Sequence, residues 1–297
     1  MKYYIGIDLG GTNVRTLLVD ENGESYSEVK GPTECQNGPD YVCDKIIKQI
    51  ESLDTSVCGG LQGVEGIGIG APGPVDTELG IMIMASNLPG FENYPICHKL
   101  KEKFGLPTFI DNDANVAGLA EAILGAGKDY KTNYFITCST GVGGAFVVDK
   151  KLVSGGRGHA GEIGNMILVP GGYKQGALNP GAVEGEISGT ALTRKGKEAK
   201  GVFKLAAEGD EACQKIAEEF IDGFSTLLAN VAHTVDPHCF VLGGGVFKSK
   251  AYFWDELEKR FNSKIHVGMR NHIPLLFKEI DDCGAIGAAM LPMSQLD

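Results

Sequence analysis

The chain has 297 residues, 43% of them hydrophobic and 22% charged, enough apolar sequence to bury a core without disulfide or metal staples, in one large domain or two ordinary ones. Lys and Arg total 27 against 38 acids, and the net charge of −11 excludes nucleic acid and an anionic membrane as main partners. The eight cysteines form no CxxC pair, no apolar signal region follows Met1, and no run approaches the roughly 18 apolar residues of a membrane helix, so the expected setting is the reducing cytoplasm.

From the N-terminus, Tyr3 to Val19 reads as a strand, a Gly10-Gly11 turn and a return strand from Val14, a hairpin rather than a strand feeding a helix. Apolar side chains at 42, 46, 50 and 53 predict a helix over residues 41–53. Gly63 to Ala71 is a short buried strand stopped by Pro72 and Pro74, and Thr108 to Asp111 is another. Ala114 to Leu124 follows as a helix with an N-terminus rich in Asp and Asn. The second half repeats the opening: a strand from Tyr134 to Cys138, a turn from Ser139 to Gly144, and a return strand from Ala145 to Val148. Residues 150–200, rich in Gly and Lys, read as a long functional loop with short elements. Glu211 to Val235 is a long helix, Phe240 to Leu242 a buried strand running into Gly243-Gly244-Gly245, and Gly284 to Met290 a final packed helix. Two halves that open alike suggest two similar α/β lobes, each with a mixed sheet, and a cleft between them. The expected division is residues 1–112, joined by the C-terminal helix at about 284–297, and residues 113–283.

Backbone N–H groups in a tight Gly turn make a concave anion site. Asp8-Leu9-Gly10-Gly11-Thr12-Asn13 has this form, with a Thr hydroxyl for phosphate and an Asp that can hold magnesium through water. Ser139-Thr140-Gly141-Val142-Gly143-Gly144 repeats it. Either alone reads equally well as an ordinary hairpin turn; a triphosphate gripped from both sides explains the pair. Gly243-Gly244-Gly245, without side chains, can let an adenine slide against backbone. Gly68-Ile69-Gly70-Ala71-Pro72-Gly73 fits GxGxxG, but the prolines argue for a turn where a dinucleotide fingerprint must open a helix, and no GxxxxGK[ST] occurs. Phosphoryl transfer further needs a carboxylate to take the hydroxyl proton. Asp111 and Asp113 alternate at a strand end, so one can serve the site while the other is structural.

With these motifs on the page, the chain resembles the ROK family of sugar kinases and repressors, within the actin-like and hexokinase-like ATPase superfamily, from about Tyr3 to Met290. Residues 8–13 resemble the family's first phosphate loop; Ile69 to Asp76 and Asn87-Leu88-Pro89-Gly90 its hinge and sugar-side segments; Asn112-Asp113-Ala114-Asn115 with Glu121 its catalytic block. Ser139 to Gly144 with Gly161-Glu162-Ile163-Gly164 resembles its signature, and Val241 to Gly245 its adenosine loop. The resemblance implies Asp113 as general base, and Asn87, Asn112, Asp113, Glu162 and Glu184 on sugar hydroxyls. It places Gly10, Gly11, Thr12, Asn13, Thr140, Gly141, Gly244 and Gly245 on ATP, and Asp8 near Mg2+. It implies a glucokinase-like phosphorylation of a hexose, first the C6 hydroxyl of glucose, in a dimer or tetramer. Fructokinase and N-acetylmannosamine kinase activity are the alternatives within the family, and a non-catalytic sugar-sensing regulator is the alternative outside catalysis.

Two departures stand out. Asn165 occupies the sugar-side position where the family often carries His. The family zinc motif CxCGxxGCxE aligns with residues 175–184, where Gln175, Ala177 and Ala182 replace all three cysteines while Glu184 remains. The expectation is therefore a protein without structural zinc.

Overall fold

The structure, a computed structural model, describes residues 1–84 and 87–296, so the last residue of the expected C-terminal segment, Asp297, lies outside it. Strands β1 (Tyr3–Leu9), β2 (Asn13–Asp20) and β3 (Ser25–Pro32) open the chain. Helix α1 (Pro39–Ser52), β4 (Val64–Ala71), the short β5 (Val75–Asp76) and β6 (Ile81–Met82), α2 (Ile96–Phe104), β7 (Thr108–Asn112) and α3 (Asp113–Ile123) follow. Next come β8 (Thr132–Cys138), β9 (Val142–Val148) and β10 (Lys151–Leu152). Within the expected long loop the chain then forms α4 (Val183–Ile187), α5 (Gly189–Lys195) and the start of α6 (Ala199–Ala207). The chain ends with α7 (Glu211–Val235), β11 (Cys239–Gly243), α8 (Trp254–Lys264), β12 (Leu275–Phe277) and α9 (Cys283–Leu296).

The predicted repeat is present. One sheet has the order β3-β2-β1-β4-β7 and the other β10-β9-β8-β11-β12. In each, the strands after the hairpin run parallel: β1, β4 and β7 in the first, β8, β11 and β12 in the second. The fold is α/β with two mixed sheets, as expected.

Contacts divide the chain into two compact units, Met1–Asp129 with Ala145–Ala160 and Glu279–Asp297, and Tyr130–Gly144 with Gly161–Lys278. The expected boundary at 112/113 is corrected to 129/130, because α3 is not the start of the second unit. It packs with α9 on the first sheet: Val116 and Leu119 share a core with Tyr4, Leu17, Ala285 and Met290.

In the first unit, the run Gly66-Ile67-Gly68-Ile69-Gly70 shows what the first two glycines of the GxGxxG match do instead of binding a dinucleotide. Ile67 and Ile69 point into a core with Ile5, Ile7, Val42 and Ile46. The glycine face lets α9 lie directly on the sheet. A Cβ at Gly68 would stand 1.8 Å from the Ala288 carbonyl oxygen, and one at Gly6 would stand 2.0 Å from that of Ala285. These glycines are spacers for helix packing, not a nucleotide turn.

The second unit is held by an aromatic cluster. Phe203 on α6 and Phe220 on α7 meet edge to face at 5.2 Å, and Phe253 stacks against Phe203 at 4.5 Å. Each such ring pair adds about 0.5–1.5 kcal/mol beyond area burial. Asp210 caps α7 by accepting the Cys213 N–H at 2.8 Å, and Asp236 closes it in a left-handed conformation. Among the described residues no helix is long and apolar enough to cross a membrane.

Candidate active site

In the first unit the turn between β1 and β2 is fixed by its own backbone. Gly10 N–H donates to the Asn13 carbonyl at 2.9 Å, Thr33 N–H to the Thr12 carbonyl at 2.8 Å, and the Thr33 hydroxyl to the Gly10 carbonyl at 2.5 Å. The Thr12 and Asn13 side chains stay exposed. A Cβ at Gly11 would stand 2.5 Å from the Asn87 carbonyl oxygen, so the sugar-side segment lies against this turn and only glycine fits there.

Asn112 and Asp113 begin α3. Asn112 is its N-cap, its Oδ1 accepting the Ala114 N–H at 2.9 Å, and Asp113 accepts the same N–H at 2.7 Å. The helix dipole favours a carboxylate at this first turn. Partial burial still pushes the Asp113 carboxyl above the usual Asp range, with the Ala114 N–H pulling the other way. Its side chain is open to solvent, so that shift is milder than a sealed carboxylate would show. The choice left open between Asp111 and Asp113 acquires a geometric answer here. Asp111 is only 4% exposed and its Oδ1 is committed to Asn115 Nδ2 at 2.6 Å and Asn112 N–H at 2.7 Å. Asp111 braces the strand-to-helix turn, and Asp113 is the reachable carboxylate.

Asp8 ends the same strand that feeds the turn. Burial raises its pKa, the charges of Asp113 and Asp282 raise it further, and Arg15 lowers it. Arg15 is itself paired with Glu28 and Asp282. A Cβ at Gly284 would come within 3.0 Å of Asp8 Oδ2, so the first turn of α9 closes over this carboxylate. Arg15 and Asp282 were not singled out from sequence; Asp282 lies 274 positions from Asp8, and no local pattern announces it.

In the second unit the Ser139–Gly144 turn and the strand before it meet three segments singled out from sequence. Glu184 on α4 sits directly on it: a Cβ at Gly141 would stand 2.3 Å from Glu184 Oε2, and that oxygen accepts the Val142 N–H at 3.0 Å. One amide of the expected phosphate cradle is therefore already occupied by a carboxylate of the protein. Gly161-Glu162-Ile163-Gly164 packs on the same turn, where a Cβ at Gly164 would stand 2.4 Å from the Val142 carbonyl oxygen, and Glu162 is left exposed. Gly244, at φ +94°, approaches the Cys138 backbone so closely that a Cβ would lie 2.3 Å from its carbonyl oxygen. Ser139, Thr140, Gly189, Thr190, Glu198 and Gly245 line one pocket of about 520 Å³, which joins the turn to the Gly243–Gly245 segment.

A family profile described as the ROK family matches residues 4–295. The chain belongs to the ROK family. It is 29% identical to a glucokinase of Halalkalibacterium halodurans, over 99% of this chain and 96% of that one. A ROK hexokinase structure from Thermus thermophilus superposes with a TM-score of 0.86 at 31% identity, covering 97% of both chains. A ROK family glucokinase from Streptomyces griseus, solved with glucose and AMPPNP, gives 0.74 at 30% identity, covering 97% of this chain and 98% of that one.

What orders residues 165–184 in this ROK protein is visible directly. Asn179 makes a two-way clasp with Asn165, its N–H donating to Asn165 Oδ1 at 2.8 Å and its Nδ2 to the Asn165 carbonyl at 3.2 Å. Ile167 and Ala182 form a β-bridge, and Val183 N–H donates to the Met166 carbonyl at 2.8 Å. The Arg194 guanidinium stacks on the Tyr173 ring at 3.6 Å and donates to the Gly185 carbonyl at 2.9 Å. Gln175 donates its side-chain amide to Glu184 Oε1 at 3.3 Å.

Proposed function

We propose that the protein is an ATP-dependent sugar kinase of glucokinase type, acting on the C6 hydroxyl of a hexose, glucose first. The observation that carries this reading is the reachable Asp113 carboxylate on the first turn of α3, close enough to Asp8 for its charge to raise the Asp8 pKa. The glucose and AMPPNP held by the Streptomyces griseus relative support the substrate pair.

In this reading Asn87, Asn112, Glu162, Asn165 and Glu184 bind and orient the sugar. Asn112 has its Oδ1 tied to the helix, so it offers Nδ2 as a donor. Thr12, Asn13 and Thr140 meet the phosphates with the backbone of Gly10, Gly11 and Gly141, and Gly244 and Gly245 let the adenine ring lie against backbone. The sugar oxygen bonds to the γ-phosphorus, its proton passes to the Asp113 carboxylate, and the bond to the β–γ bridging oxygen breaks to release ADP. A base with a raised pKa suits this work, because it holds the transferred proton better than an ordinary Asp.

The residues fit Mg2+. Asp8, Asp113 and Asp282 place three carboxylates near one arginine that is already paired, a surplus of negative charge that a divalent cation relieves. Among the described residues no group of three or more His, Cys, Asp or Glu forms a direct metal nest, so the fit is to an ion that keeps water between itself and Asp8. When bound, the ion neutralises phosphate charge. For zinc the donor set at 165–184 does not fit, since Gln175, Ala177, Ala182 and Asn165 offer no thiolate or imidazole.

A coupled ADP-release assay over hexoses and N-acetylhexosamines tests the reading. Glucose-dependent ADP release is the expected result. Preference for fructose or N-acetylmannosamine would reassign the substrate, and release no faster than hydrolysis with any sugar would sink the kinase reading.

A further inference from the structure

We propose that Gln175 is a positioning residue for Glu184, holding the sugar-binding carboxylate in one orientation. The claim rests on the sugar-kinase reading for its kinetic consequence, but its geometry stands alone. Glu184 is partly buried and carries one hydrogen bond on each oxygen: Oε2 accepts the Val142 N–H at 3.0 Å, and Oε1 accepts Gln175 Nε2 at 3.3 Å. Two donors on opposite oxygens fix the plane of a carboxylate, which one donor leaves free to rotate. Each oxygen keeps a further lone pair, so the fixed group can still accept two sugar hydroxyls.

Gln175 is well placed to be a fixed donor rather than a chance neighbour. Its Cβ lies 3.6 Å from the position a side chain would occupy at Gly185, which faces it from the first turns of α4. Its loop is tied at both sides. Leu178 N–H donates to the Gln175 carbonyl at 3.0 Å, Tyr173 N–H to Glu186 Oε1 at 2.7 Å, and the Tyr173 ring carries the Arg194 guanidinium. The Asn165–Asn179 clasp closes the other end of the segment. A neutral amide thus connects the loop to Glu184. Because Glu184 Oε2 also accepts the Val142 N–H, loosening the carboxylate frees that one amide to exchange faster while the rest of the turn keeps its own backbone bonds.

The variants Gln175→Ala and Gln175→Glu separate this role from simple packing. The Glu variant keeps the shape of the side chain but replaces the donor with a second carboxylate facing Glu184. Hydrogen bonds to charged groups are the stronger class, and losing one commonly costs about tenfold in an equilibrium. Sugar KM should therefore rise about 3- to 10-fold in Gln175→Ala and more in Gln175→Glu, with ATP KM and melting temperature close to wild type. Amide exchange at Val142, which needs no sugar, should quicken in both variants. A Gln175→Glu enzyme with wild-type sugar KM and unchanged Val142 exchange would overturn the proposal. So would sugar and ATP KM rising together with a falling melting temperature, the pattern of a purely structural residue. If the wild type turns over no sugar, the kinase reading falls, and Val142 exchange alone decides whether Gln175 positions Glu184.

Discussion

The two Gly turns are one backbone idea in two chemical settings. The first, at residues 10–13, is surrounded by charge: Asp8 precedes it, Arg15 follows it, and Asp113 and Asp282 bear on Asp8. The second, at 139–144, has the Glu184 carboxylate lodged on it, held by amide donors rather than by a cation. The same backbone turn is therefore set in two different surroundings. On the proposed reading both turns meet phosphate, and the second also carries an acceptor that must be held still.

The sharpest way to break this contrast is to remove the acid–base group on the first side. Asp113→Asn should lower kcat by about 10²–10⁴-fold while sugar KM changes much less. Asp111→Asn should leave the chemical step comparatively intact, because Asp111 is committed to Asn115 and the Asn112 N–H. If Asp111→Asn destroys kcat and Asp113→Asn keeps it, the roles are reversed.

On the second side the largest effect should come from space. Gly141→Ala would put a methyl group 2.3 Å from Glu184 Oε2, and the carboxylate must give way. Sugar KM should rise by about tenfold, on the scale of one lost charge-assisted hydrogen bond. Gly244→Ala should instead act on folding, since φ +94° and backbone contact with Cys138 both oppose a side chain. A loss of about 1–3 kcal/mol in a denaturant titration is expected. Wild-type stability of Gly244→Ala would show that the turn repacks.

The contrast also explains what sequence could reveal. The hairpins, α1, α3, α7 and the glycine turns were legible because their signals are local: alternation, helical periodicity and caps. Thr140 and Gly245, both singled out from sequence, share a pocket. Illegible were α4, α5 and α6, hidden in a Gly- and Lys-rich stretch whose short helices are stabilised by tertiary contacts rather than by pattern. Illegible too were the bonds that bring Gln175 to Glu184 and Asp282 to Arg15, which depend on the fold. The boundary was misplaced because α3 follows β7 without a break, and nothing local says which sheet it will cover.

The smallest expected effect tests the charge on the first turn. Burial and the like charges of Asp113 and Asp282 raise the Asp8 pKa above its ordinary value of 3.8. The native state then holds a proton there at pH values where the unfolded chain has released it. Stability falls as pH rises from the unfolded pKa through the folded one, and stays lower above it. Asp8→Asn removes that loss. Its melting temperature should match wild type near pH 3.5, below the ordinary pKa, and exceed it at pH 7, while on the proposed reading, in which Asp8 faces Mg2+, activity drops because that charge is lost. Melting curves of both proteins from pH 3.5 to 7.5 make the check. Added Mg2+ alone should narrow the gap at pH 7, since a cation near Asp8 offsets the same repulsion in the wild type and has less to offset in the variant. A variant less stable than wild type at pH 7, without nucleotide or metal, would mean that Asp8 is held by favourable contacts and that the first turn is not under electrostatic strain.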